Sequence, residues 1–341
     1  MKQIYLKDFM TVAISDLQDA GRYGTAHVHR SVLRSILEYA GNKLAMSKMT
    51  PAFLKEYENY LIMQKKLEWN TSSTYMRCLQ AVYNQALDRG MVPFIPRQFS
   101  GVFRGALRNH RRALSPSDMR RLLSNRESAK NTTQITNVSN LPKENTTETE
   151  LSDRKKTKSA IDKSTSKARA CLELMLRLRG LSFVDLAFLR KSDFHEGYLI
   201  LRRHKTGTPL RIRVSEDTLK LLRQNVSQDP HSPYLLNILD GRLTGYEAYQ
   251  DYQSKLRHLN TWLKNLAKSR KVQSRVSSYC ARHTWATQAK YCGIPTSVIS
   301  EGLGHASVTT TEAYLKAFDN GVLDRANETV VDYILLPKKK K

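Results

Sequence analysis

The chain has few cysteines, few acidic residues and no long apolar run. Its 341 residues include four cysteines (Cys78, Cys171, Cys280, Cys292), and no pair has the C-x2-C spacing of a zinc site. No histidine pair near them has zinc-finger spacing, so a zinc-finger DNA binder is excluded and the thiols are expected to be reduced and mostly buried. Nowhere are there the roughly 18–20 consecutive apolar residues that a membrane helix requires. The first residues carry Asp8 and Asp16 among apolar positions and show no small-residue cleavage site, so no signal peptide is expected. A cytoplasmic, nucleoid-associated protein is expected, with no membrane partner. The 31 acidic residues stand against 56 basic ones, a net charge of +25. That excess favours a polyanionic partner, nucleic acid before a membrane surface.

What is present is mostly helical pattern. Apolar positions of period close to 3.6 predict helices over Ile4–Leu17 and His27–Ala40, the second stopped by Gly41. Thr50-Pro51 reads as an N-cap followed by proline at the first helical position, opening a helix through Lys65. Thr71–Ser73 is expected to cap a further helix ending at Arg89-Gly90. Residues 1–95 thus form a helical domain. Residues 96–112, with Pro96, Arg97, Gly101, Arg104, Arg108, Arg111 and Arg112, read as a basic linker. A second domain is expected over 113–325, starting with a helix at Ser115-Pro116-Ser117-Asp118. Residues 125–167 have no aromatic residue and are rich in Asn, Thr, Ser, Lys and Glu, so they read as a flexible insertion.

Order is expected again in a helix over Lys167–Gly180. Ser182-x-x-Asp185 forms a capping box for a helix over Phe183–Leu189. Tyr198–Arg202 and Leu210–Val214 alternate as strands around the hairpin Lys205-Thr206-Gly207-Thr208. Helices are expected near 216–224, 246–269, 281–292, 295–302 and 309–318, and residues 326–341 form a tail. The predicted fold class is mostly α with a small antiparallel β-sheet.

The chemistry-bearing residues cluster late in the chain: Tyr279-Cys280-Ala281-Arg282-His283-Thr284-Trp285-Ala286-Thr287, then Leu303-Gly304-His305, then Thr309-Thr310-Thr311-Glu312-Ala313-Tyr314. No carboxylates cluster as a two-metal nuclease would need. Phosphodiester cleavage without a metal needs a nucleophile, fixed cations for the transition-state charge and an acid for the leaving oxygen. Arg282, before an apolar helix, can aim a bidentate guanidinium at a phosphate, or merely touch a DNA backbone. Thr309-x-x-Glu312 reads as a capping box that sets Tyr314 in the second turn of a short helix. By spacing alone Tyr314 also fits a core residue packed on Phe318.

These boxes resemble the tyrosine recombinase (phage integrase) family, most of all the integrases of Bacteroides-type mobile elements. The likeness runs over nearly the whole chain and combines the Arg-His-Thr-x-Ala-Thr box, the Leu-Gly-His turn and a tyrosine downstream of that histidine. It implies a two-domain architecture, a helical SAM-like core-binding domain and a mixed α/β catalytic domain. Tyr314 is then the nucleophile, forming a 3′-phosphotyrosyl link. Arg282 and His305 bind the scissile phosphate, and Lys205 in the hairpin protonates the 5′-hydroxyl leaving group. The alternatives are a capping or core histidine at 305 and a solvated lysine at 205. His283 beside the site is read as structural.

Two positions depart from the family pattern. The arginine of its Gly-Leu-Arg-x-x-(Glu/Asp)-Leu string is Ser182 in Gly180-Leu181-Ser182-Phe183-Val184-Asp185-Leu186. A serine cannot neutralise a pentavalent phosphate. Arg179 is the expected substitute, with Arg203 its rival because it lies two residues before Lys205 and so on the same strand face. Tyr279 stands where the family's H-x-x-R box has histidine, and its hydroxyl can still hydrogen-bond phosphate. The resemblance also implies double-stranded DNA as partner, a homotetramer on DNA from monomers in solution, no cofactor and no metal. Accessory DNA-bending proteins are conceivable partners, and the tail over Val330–Leu336 would dock on a neighbouring subunit or pack in cis. A helix beginning near residue 4 leaves no space for an arm-binding domain, which favours a simple recombinase or invertase. The rival readings are a lapsed integrase-fold DNA-binding protein and a type IB topoisomerase.

Overall fold

A computed structural model describes residues 3–107, 113–124, 164–305, 307–312, 315, 324, 327–328 and 331. The chain divides into two compact units, residues 1–109 with 244–249, and the remainder.

The first unit is built from α1 (Leu6–Asp19), α2 (Tyr23–Ala40), α3 (Pro51–Asn59) and α4 (Trp69–Asp88). Each helix turns one apolar stripe inward. Leu6, Met10, Val32, Ile36, Leu54, Tyr57, Met76, Leu79 and Val82 are buried together, and each such side chain contributes roughly 1.5–3 kcal/mol of burial. Thr50 caps α3 as expected, its Oγ1 accepting from Phe53 N at 3.2 Å. The helix then loosens into a π turn over Tyr60–Gln64. α2 starts four residues before the expected His27. α4 starts at Trp69, so Thr71–Ser73 lie inside it; Ser73 donates to Gly105 O at 2.6 Å. Residues 96–107 are not a free connection. Phe99 and Val102 are buried in this core, and Phe103 N donates to the buried Glu58 at 2.6 Å.

The second unit opens with α5 (Pro116–Leu123), capped by Ser115 Oγ. α6 is described from 164 to 177, so residues 164–167 belong to a helix, and the helix ends three residues before Gly180. The rest of the expected insertion, 125–163, lies outside the described residues. α7 (Phe183–Ala187) is two residues shorter than expected. A three-stranded antiparallel sheet follows: β1 (Phe194–His195), β2 (Tyr198–Arg202) and β3 (Pro209–Arg213). Leu199 pairs with Ile212 and Leu201 with Leu210, all four buried, while Arg202, Arg211 and Arg213 face out. Strand β1 has only two residues, too few for an alternation to show in sequence. Helices α8 (Glu216–Gln224), α9 (Gly245–Ser269, of which residues 245–249 group with the first unit), α10 (Cys280–Tyr291), α11 (Thr296–Leu303) and α12 (Val308–Glu312) follow.

Cys78 and Cys280 are buried, Cys171 is half-buried, Cys292 is exposed, and none is bridged. Among the described residues no helix is long and apolar enough to cross a membrane.

Candidate active site

The candidate site lies in the second unit, where the start of α10, the end of α11, α12 and the β2–β3 turn meet. α11 ends at Gly304, whose left-handed backbone (φ 64°) closes the helix. Gly304 N donates to Glu301 O and His305 N to Ser300 O, a pattern that uses the last carbonyls and swings the chain out at His305. A side chain at 304 would place its Cβ 2.8 Å from Arg203 Cδ. Glycine is therefore required twice over, for conformation and for the arginine's approach.

Arg282 is the third residue of α10, and it is 1% exposed. Its Nη1 donates to Gly180 O at 2.9 Å and its Nη2 to Leu303 O at 2.7 Å. Nη2 also lies 2.9 Å from His305 Nε2. Gly180 is left-handed as well (φ 66°), and a Cβ there would stand 3.0 Å from Arg282 Cα. The Gly-Leu string thus serves to bring its backbone against α10.

The segment after β2 delivers a second guanidinium. Arg203 is 6% exposed. Its Nη1 donates to Leu303 O at 3.1 Å and to Gly304 O at 3.3 Å, and its Nε pairs with Asp185 at 3.3 Å. Arg203 and Arg282 therefore share one acceptor, the Leu303 carbonyl. Ser182 has a role that its sequence position conceals. Its Oγ donates to Asp185 Oδ2 at 2.6 Å, while His204 N donates to Asp185 Oδ1 at 2.7 Å. The serine in the arginine's place holds the carboxylate that holds Arg203. Of the expected capping box only the first half is found, Asp185 N reaching Ser182 Oγ at 3.5 Å; the Asp185 carboxylate is taken by Ser182 Oγ, Arg203 and His204 N rather than by Ser182 N.

Arg179, the first expected substitute, immediately precedes Gly180, whose carbonyl accepts from Arg282. It occupies a left-handed turn (φ 57°) after α6 and makes no side-chain hydrogen bond or ion pair among the described residues. Lys205 is exposed in the turn between β2 and β3, closed by Arg203 N to Thr208 O at 2.8 Å and Gly207 N to Arg203 O at 2.7 Å. β2 ends at Arg202, so Arg203 and Lys205 share a turn, not a strand face.

Burial, then the charges of Arg282, Arg203 and Lys205, push the His305 imidazole down to about 4. At neutral pH it is uncharged. Its Nδ1 lies 2.8 Å from Thr311 Oγ1. Thr311 was not singled out by the sequence reading; its only signal was its place in the threonine run before Tyr314. Tyr279 immediately precedes α10 and makes no side-chain capping bond to it; it is half-buried, with its ring edge-on to His283 at 5.1 Å. α12 begins at Val308, so Thr309 lies within the helix and is not its cap. Tyr314 lies outside the described residues, as does most of the tail over Val330–Leu336. Among the described residues no three His, Cys, Asp or Glu side chains group so as to hold a metal ion.

The arrangement can fix an anion with two preoriented guanidiniums in a water-poor corner beside an exposed lysine. Comparison with known proteins agrees with the fold. The "Phage integrase SAM-like domain" matches residues 5–100, and the "Phage integrase family" matches 148–320. The tyrosine recombinase XerA of Pyrococcus horikoshii is 30% identical over 146 residues, 42% of this chain and 48% of that protein. XerA of Pyrococcus furiosus is 29% identical over 146 residues, again 42% of this chain and 48% of that protein. The chain spans about half the length of the curated relatives it matches. A lambda integrase dimer bound to a COC′ core site superposes with a TM-score of 0.60 at 15% identity, over 91% of this chain and 95% of that one. The Tn1549 transposon integrase in complex with a circular intermediate DNA gives 0.59 at 15%, over 96% and 99%. With the helical match in front and the catalytic-domain match running through the whole basic cluster and covering half the sequence, the chain belongs to the phage integrase family.

Proposed function

We propose that this protein is a site-specific DNA recombinase that cuts and rejoins DNA through a 3′-phosphotyrosyl intermediate. The observation that supports this most is the convergence of Arg282 and Arg203 on Leu303 O beside the neutral His305. Two fixed guanidiniums suit the equatorial oxygens of a pentavalent phosphate, and their preorientation avoids reorganisation in the transition state. Arg203 takes the part of the arginine missing at Ser182, with Ser182 and Asp185 positioning it. Tyr314 gives up its phenolic proton to solvent and attacks phosphorus, the P–O5′ bond breaks, and Lys205 gives its proton to the departing 5′-oxygen. The phosphoester is retained in the covalent link, so religation needs no external energy source.

Duplex DNA is the proposed substrate, with the cytoplasm and its nucleoid as the place of action. A homotetramer is the proposed active assembly, by likeness to a lambda integrase tetramer bound to a Holliday junction. The lapsed DNA-binding reading is motivated by Ser182 and Tyr279; the Ser182–Asp185–Arg203 chain speaks against it, because it restores a guanidinium to the site.

The test is a suicide duplex drawn from the DNA flanking the gene. Wild type is expected to leave a detergent-resistant protein–DNA adduct with a free 5′-hydroxyl, and Tyr314→Phe none. Specific binding without any wild-type adduct would leave only the DNA-binding reading. Relaxation of arbitrary plasmids without site dependence would instead indicate a type IB topoisomerase.

A further inference from the structure

Both ring nitrogens of His305 are engaged. Nε2 lies 2.9 Å from Arg282 Nη2, and Nδ1 lies 2.8 Å from Thr311 Oγ1. A guanidinium has donors only. Nε2 must then be the accepting nitrogen, and the single proton of the neutral ring sits on Nδ1, donated to the threonine oxygen. The opposite tautomer would set an N–H against the guanidinium's N–H. The charged ring would do the same, and the charges that act on it (Arg282 on α10, Arg203 and Lys205 in the β2–β3 turn) are all cationic. Thr311 is 0% exposed, so its hydroxyl has no water to turn to. It lies on α12, the helix that runs toward Tyr314 in the chain.

We propose that Thr311 is a positioning residue: its hydroxyl accepts from Nδ1–H and anchors the His305 ring in the tautomer that Arg282 imposes, so that the imidazole offers its Nε2 lone pair to Arg282 and keeps that guanidinium aimed at the scissile phosphate. The inference rests on reading the site as a phosphoryl-transfer centre. It couples three elements in series, from α12 through the end of α11 to α10. A displacement of α12 shifts the hydroxyl, frees the ring to turn and releases the arginine. The orientation of the phosphate-binding group is thereby tied to the helix that leads to the nucleophile.

The test uses the full chain labelled with 15N in the histidine rings, with His305 assigned by its loss in His305→Gln. In wild type at neutral pH, Nδ1 is expected in the protonated range and Nε2 in the unprotonated range. Thr311→Ser keeps both and keeps cleavage. Thr311→Val, nearly the same volume without a hydroxyl, removes the acceptor of Nδ1–H, so the Nδ1 resonance shifts and the ring loses its anchor. Cleavage on the suicide duplex then falls on the order of 10²-fold, the cost of a misplaced reacting group, while DNA binding holds. A wild-type ring protonated at Nε2 overturns the proposal whether or not Thr311→Val folds. So does unchanged cleavage in Thr311→Val, or a loss of cleavage that leaves the Nδ1 resonance where it is in wild type. If wild type shows the Nδ1–H ring and cuts no DNA, the recombinase reading fails instead.

Discussion

A guanidinium that is 6% exposed has surrendered most of its water, and Arg203 recovers the loss through Asp185 and the carbonyls of Leu303 and Gly304. Such a buried charge is costly unless every donor is placed, which is why its support reaches as far as Ser182. Arg203→Ala is expected to slow adduct formation on the order of 10²–10³-fold, the range for losing one transition-state donor. Arg179→Ala is expected to stay near wild type; a dead Arg179→Ala beside an active Arg203→Ala would reverse the assignment. His305 brings a pH dependence. Its folded value of about 4 lies below the ordinary 6.5, so the folded state binds fewer protons than the unfolded one between those values. Its contribution to stability is therefore complete above pH 6.5 and is lost as pH falls towards 4. Urea midpoints taken from pH 7.5 to 4.5 should fall less steeply in His305→Gln than in wild type. At this scale Arg282 and His305 were legible, because each sits in a local string with recognisable turn or helix signals. Arg203 was legible only as a rival and Thr311 not at all. Arg203 meets Asp185 and Leu303 O from other segments, the second a hundred residues on, and no periodicity reports such a contact; Thr311 meets His305 only six residues back, but across the turn between α11 and α12, where neither helical nor strand period holds.

The elements carry the site by their ends. α11 stops at Gly304, α10 starts two residues before Arg282, and the β2–β3 turn holds Arg203 and Lys205. Gly304→Ala is expected to cost roughly 1–2 kcal/mol from the left-handed backbone alone. It should also displace Arg203, so that cleavage drops by more than thermal denaturation accounts for; a Tm shift with unchanged cleavage would contradict the tight approach. Helices with an apolar stripe and a clear cap, such as α3 behind Thr50-Pro51 and α5 behind Ser115-Pro116, could be read from pattern. Pattern misled where tertiary packing overrode it. Ser72 and Ser73 look like caps but are buried within α4, and Thr309 looks like a cap but lies inside α12. β1 and the π turn over Tyr60–Gln64 are too short to leave a periodic trace.

For the whole molecule the dominant fact is its charge of +25. Binding that rests on phosphate contacts releases counterions. If each protomer touches on the order of 8 phosphates, affinity should fall by roughly 10³–10⁵ between 50 and 200 mM salt. A nearly flat salt dependence in a filter or anisotropy titration would argue against an extended phosphate interface. The most direct measurement identifies the residue that DNA is joined to. The trapped adduct is digested with nuclease and protease, and the nucleotide-bearing peptide is sequenced by mass spectrometry. The expected result is a 3′-phosphate remnant on the phenolic oxygen of Tyr314. A remnant on any other side chain would contradict the assignment of the nucleophile and, with it, the chemistry built around Arg282, Arg203 and His305.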